Sequence, residues 1–238
     1  MLHLRRRLII SCLCGWLALG IAIGLVVTQF AIPLSAGLQA ASTYLLINIW
    51  LYYHLPEHLP QRRFGWANGI TLVRAVAVAF LAGLIGIDGA SVLAWPILLL
   101  ALILLLLDGL DGWLARFYAS TSAFGARFDM ETDALFILVI ALLAWHLGKA
   151  PAWVLLAGAW RYAFAIAGWL YPKLAASLAP SKRRQAACVI QIIGLLICLC
   201  PLLPKSLTEP LLLVSVLILS GSFCIDIYQL IATSENVR

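Results

Sequence analysis

Ten residues of this 238-residue chain are acidic, and five of them fall between 108 and 133: Asp108, Asp111, Asp129, Glu131 and Asp133. Asp108 and Asp111 are spaced i, i+3; Asp129 and Asp133 are spaced i, i+4. On helices both spacings put the pair on one face. Glu131, two residues from each of its neighbours in that set, points away from the Asp129/Asp133 face and reads as solvated. Four carboxylates gathered at one place repel, and without a partner some would bind protons. A divalent cation is the usual remedy. Hard oxygen ligands without His or Cys suit Mg²⁺ or Mn²⁺, or Ca²⁺ in a roomier site. A carboxylate-held Mg²⁺ commonly shares its coordination with substrate phosphates. Small residues stand beside the acids: Gly112 and Ala115 after the first pair, Gly125 before the second. They leave a slot for something large to approach the backbone. Arg116 adds a planar positive fork suited to phosphate.

The elements that must position these residues follow from composition. The chain is 64% apolar and 11% charged, with a mean hydropathy of +1.03, against about 25% charged for a soluble domain. A soluble domain, a disordered chain and a disulfide-stapled module are excluded. The apolar stretches are continuous rather than alternating, which excludes a membrane β-barrel. A polytopic all-α membrane protein remains. Eight apolar segments are spans: 8–30, 37–53, 68–85, 92–107, 134–147, 151–171, 186–203 and 210–231. The segments 92–107 and 134–147 are short for a span. Their helices are expected to continue into the polar stretch, the first carrying Asp108 and Asp111, the second opening with Asp129 and Asp133. Joined by a loop, such helices are antiparallel neighbours, and their carboxylates can converge.

The net charge of +6 reflects topology, and no nucleic-acid partner is expected. With a cytosolic N-terminus, the inner loops hold Arg5, Arg6, Arg7, Arg62, Arg63, Arg116, Arg127, Lys173, Lys182, Arg183, Arg184 and Arg238, and the outer loops only Lys149 and Lys205. Twelve against two orients the chain with both termini and the acidic stretch cytosolic, in a multi-pass protein of the cytoplasmic membrane. The apolar run after Arg7 is long enough to span and reads as a retained helix rather than a signal peptide. Cys12, Cys14, Cys188, Cys198, Cys200 and Cys224 have no zinc-type spacing and read as buried thiols. Arg74 and Arg161 lie inside spans, where an arginine faces a polar cavity or a partner. One reading makes them, with Lys182 and Arg183, an acceptor-binding pocket; the other pairs Arg161 or Arg74 with Asp226, the other acid within a span.

The acidic stretch follows D-x-x-D-G-x-x-A-R-x₈-G-x-x-x-D-x-x-x-D, eight fixed identities over 26 residues. It resembles the signature of the CDP-alcohol phosphatidyltransferase family. Asn68, Thr71 and Arg74 resemble that family's N-x-x-T-x-x-R, and Ser181 to Gln185 its basic stretch. The resemblance covers about residues 60–230 and implies a six-helix core. Residues 1–55 would then form an N-terminal transmembrane hairpin and 56–238 the catalytic core. It implies that Asp108, Asp111 and Asp129, with Asp133, ligate one or two Mg²⁺ or Mn²⁺ ions. Asn68, Thr71, Gly112, Ala115, Arg116 and Gly125 would serve a CDP-linked donor, CDP-diacylglycerol being the expected one and a CDP-linked small alcohol the alternative. Asp133 would act as general base toward the hydroxyl acceptor, and CMP would leave. Such proteins are often homodimers among membrane lipids. The chain departs from the phosphatidylglycerophosphate synthases, which tend to carry proline after the third aspartate and lysine after the fourth: here Met130 and Ala134 stand there. That departure counts against glycerol phosphate, and the acceptor stays open among inositol phosphate, glycerol phosphate, serine and other lipid alcohols. A cation transporter is the reading from another class, but its ion site would lie near the bilayer midplane on broken helices, and these acids sit at one membrane boundary. A non-catalytic scaffold of the same fold would not need all four aspartates.

Overall fold

The computed structural model describes residues 2–30, 32–58, 64–117, 122–170 and 181–235, with the side chains of 2–3, 111–117, 165, 168–169 and 230–235 outside the description. Arg62, Arg63, Lys173 and Arg238, counted above for orientation, lie outside the described residues.

All regular structure among the described residues is helical. The α-helices are α1 Leu2–Phe30, α2 Leu34–His54, α3 Trp66–Gly83, α4 Ala94–Phe117, α5 Ala123–His146, α6 Leu155–Leu170, α7 Lys182–Leu199 and α8 Lys205–Glu235. Short 3-10 turns at Leu55–His58, Ala90–Leu93 and Ala152–Val154 join or open them. A chain this apolar satisfies its backbone inside each segment, because lipid offers no hydrogen-bonding partner. Among the described residues, four helical stretches are long and apolar enough to cross a membrane: Leu4–Phe30, Trp66–Gly83, Ala90–Leu110 and Lys205–Gln229. The helices overrun the apolar segments where charged residues follow. α4 continues to Phe117, α5 begins at Ala123, and α7 begins at Lys182 within the basic stretch. Charged side chains tolerate a helix end at the membrane surface, so the backbone need not stop where apolarity does.

Two compact units make up the chain, Met1–Val139 and Ile140–Arg238. In the first, α3 packs against α1, α2 and α4. Its core joins Leu8 and Leu19 of α1, Ala40, Tyr44 and Leu51 of α2, Leu72, Ala75 and Ala79 of α3, and Phe124 and Phe128 of α5. Gly83 sets the α2–α3 crossing. A Cβ there would lie 2.6 Å from the Ala36 carbonyl oxygen and 2.8 Å from the Ala40 Cβ. Small residues permit such close approach where no water-driven force presses helices together. The Tyr44 hydroxyl donates to the Cys12 carbonyl at 3.2 Å, tying α2 to α1.

In the second unit α7 and α8 form a helical hairpin, with α6 against α8. Gly194 has the same use as Gly83: a Cβ there would come within 2.6 Å of Ser215 Oγ. The Trp160 indole N–H donates to Ser220 Oγ at 2.8 Å, and its ring stacks on Phe223.

Candidate metal centre

α3, α4 and α5 supply the site, all of it within the first unit. Asp108 rides on the extension of α4; Asp129 and Asp133, one turn apart, lie on the opening turns of α5. One carboxylate oxygen from each of the three falls within 4.8 Å of the others. Oxygen ligands of an octahedral Mg²⁺ stand about 3–4 Å apart, given bonds of about 2.1 Å. The three carboxylates therefore already sit near the spacing that a small hard cation needs, and their chemistry fits Mg²⁺ or Mn²⁺. Asp111 lies three residues after Asp108 on α4; its side chain, like those of Ala115 and Arg116, lies outside the described residues, as does the surrounding of Gly112.

Arg74 stands among these acids. Its Nη1 donates to Asp129 Oδ1 at 2.8 Å, and its Nη2 lies 2.8 Å from Asp108 Oδ1 and also donates to Asp133 Oδ1. The guanidinium is 2% exposed, whereas the three aspartates are 25–38% exposed. Each acid thus faces the buried arginine on one side and an open side on the other. A guanidinium out of water needs such partners, and its planar fork of donors suits several carboxylates at once. Three carboxylates against one guanidinium leave two formal negative charges among the described groups. That surplus is the charge a divalent ion would cancel.

The flanking residues are closely fitted. Asn68 is nearly buried and donates to the Phe64 carbonyl at 2.6 Å; Thr71, also buried, donates to the Ala67 carbonyl at 3.1 Å. A Cβ at Gly125 would lie 2.7 Å from Asn68 Oδ1. The space that glycine leaves is thus filled by Asn68 of α3, a helix–helix approach. The Gly125 N–H donates to Ser122 Oγ at 3.0 Å, making Ser122 the N-cap of α5. Ser122 Oγ also shares a hydrogen bond with His58 Nδ1 at 3.1 Å.

Arg161, Lys182 and Arg183 belong to the second unit. Arg183 donates to the Ser222 carbonyl at 2.6 Å and to the Asp226 carboxylate. Arg184 lies 3.8 Å from the same acid. Asp226, for which the alternative reading offered Arg161 or Arg74, pairs with Arg183, because the α7–α8 hairpin brings the start of α7 beside the far end of α8. Arg74, which one reading placed at an acceptor pocket and the other with Asp226, meets Asp108, Asp129 and Asp133.

His58 and Ser122 were not legible as site residues. A serine before a helix start is a known capping signal, but the third helical residue is Gly125 rather than the Glu or Gln of a capping box. Nothing local marks His58, 64 residues away.

A family model described as CDP-alcohol phosphatidyltransferase matches residues 64–223. No curated protein and no solved structure matches the chain. The family match spans more than half of the chain and contains α3 to α7 and much of α8. The chain belongs to the CDP-alcohol phosphatidyltransferase family.

Proposed function

We propose that this family member transfers a substituted phosphate group from CDP-diacylglycerol to the hydroxyl of an acceptor alcohol, with release of CMP. The observation that carries the reading is the convergence of Asp108, Asp129 and Asp133 within 4.8 Å, inside the stretch that the family model matches. Asp108, Asp111, Asp129 and Asp133 are the residues that would hold Mg²⁺ or Mn²⁺. When bound, such ions offset the charge of the donor diphosphate and of the oxygens exchanged in an in-line displacement.

The chain's own groups do the rest. Asp133 takes the proton of the acceptor hydroxyl as general base. The acceptor oxygen forms a bond to the phosphorus on the lipid side of the diphosphate, the bridging P–O bond breaks, and CMP carries away the electron pair. Gly112, Ala115 and Arg116 on α4, with Asn68 and Thr71 on α3, serve the cytidine nucleotide, and Gly125 on α5 lets Asn68 approach closely beside them. Arg161, Lys182 and Arg183 serve the acceptor side. Arg74 is assigned to the carboxylates rather than to the acceptor, since its guanidinium is already committed to three of them. The basic residues of the sequence support a cytosolic site and cytosolic termini, and the extent of the family match supports residues 1–55 as an extension to a catalytic core at 56–238.

The experiment is CMP release by the purified protein in lipid nanodiscs with CDP-diacylglycerol, Mg²⁺ or Mn²⁺ and a pooled panel of polar alcohols, lipid products being weighed by mass spectrometry. A metal-dependent product that disappears in Asp133→Asn is expected, and its mass names the acceptor. No CMP release with any metal and acceptor overturns CDP-diacylglycerol as donor.

A further inference from the structure

The family model begins at residue 64, yet the chain just before it grips the helix that carries two of the site's acids. The Trp50 ring, near the end of α2, stacks on Phe124 and Phe128 with centroids 6.3 and 6.0 Å away. The His58 ring meets Phe124 edge-on at 5.3 Å, and its Nδ1 is hydrogen-bonded to the cap Ser122. Glu57 accepts from Arg127 at 3.0 Å. His58, Phe124 and Phe128 are at most 2% exposed. Every one of these contacts falls on residues 122–128, directly before Asp129.

Geometry makes this grip consequential. Phe124 and Phe128 are i, i+4 and share one face of α5; Asp129 follows Phe128 by one residue, about 100° around the helix. Holding the aromatic face therefore fixes the rotation that aims the acids. Side-chain ends stand about 5–6 Å from a helix axis, so a rotation of about 10° moves a carboxylate by about 1 Å. Metal ligand distances tolerate about 0.2 Å.

We infer that residues 50–58 are a positioning element of the metal centre: through Trp50 and the His58–Ser122 hydrogen bond they set the rotation of α5 and so the placement of Asp129 and Asp133. The inference rests on the reading of the aspartates as metal ligands under the proposed function.

The test uses the full chain in nanodiscs of zwitterionic lipid. Mn²⁺ affinity is read from the free-ion electron paramagnetic resonance signal, and hydrogen exchange is followed over residues 122–133 without metal. His58→Leu keeps apolar volume and removes the hydrogen bond; His58→Asn restores a polar atom near the position of Nδ1. H58L and Ser122→Ala are each expected to weaken Mn²⁺ binding about tenfold, the scale for lost outer-shell partners, and to speed exchange over 122–133. H58N is expected to restore both. Wild-type affinity and exchange in H58L and S122A overturn the inference, as does an H58N no better than H58L. Should H58L not fold, S122A decides alone. A wild-type chain that binds no Mn²⁺ defeats the metal reading itself, whereas variants that bind as the wild type does defeat only the positioning role.

Discussion

Each compact unit contains an arginine–carboxylate cluster, and the two are balanced in opposite directions. In the first, one buried guanidinium meets three aspartates that are a quarter or more exposed. In the second, one buried aspartate, Asp226, meets Arg183 and lies near Arg184, both partly exposed. Among the described residues, the first cluster hides its cation, shows its anions and keeps a negative surplus; the second hides its anion, shows its cations and keeps a positive one. Burying a charge is costly unless it is paired, whichever sign it has. What differs is the charge left facing outward. An outward negative surplus suits a divalent cation, whereas the outward positive one closes the α7–α8 hairpin.

The contrast can be broken from either side. The largest effect is expected at the acids of the first cluster: Asp133→Asn should lower the CMP-release rate by about a thousandfold, the range for loss of a general base, while the melting temperature of the protein changes little. Next, Arg183→Leu should destabilise the protein by about 2–3 kcal/mol, because Asp226 loses its nearer partner while buried. Added Mn²⁺ should not restore that loss in a thermal melt. Arg74→Met should cost somewhat less, about 2 kcal/mol, because its acids reach solvent, and here Mn²⁺ should raise the melting temperature back. Mn²⁺ rescue in both variants, or in neither, would erase the distinction between the clusters. Gly125→Ala presses a methyl against Asn68 and should cost about 1–2 kcal/mol, the lower part of the range for overpacking, measured by denaturation in detergent. The smallest effect is expected at the exposed Glu57–Arg127 pair, where Glu57→Gln should change stability by less than about 1 kcal/mol.

What the sequence showed well is what covalent spacing controls. The i, i+3 and i, i+4 acids had to share helix faces, and the polar continuation of α4 and α5 followed from spans too short to end at their last apolar residue. Family membership was legible for the same reason, since its motif is a local string. Partners brought together across the chain were not. Arg74 is 55 and 59 residues from two of its acids, and nothing local says which charge in one helix will face which in another. Asp226 shows the limit well. The sequence offered Arg161 or Arg74 as its partner, and the antiparallel run of α7 and α8 brings Arg183 to it. The aromatic grip of Trp50 on α5 was hidden because tryptophans near span ends are already explained by the membrane interface.

The position of Arg74 on α3 also bears on how the protein is made. Ribosomal synthesis runs from the N-terminus, so this arginine enters the membrane before Asp108, Asp129 or Asp133 exists. An unpartnered arginine within an inserting helix is costly, less so near the membrane boundary than at the bilayer centre, and α3 carries that cost until α4 follows. α1 and α2 precede α3 in the chain, and α3 packs against both. The N-terminal pair of helices thus gives a charge-bearing segment a protein surface to rest on while its counter-ions are still being translated.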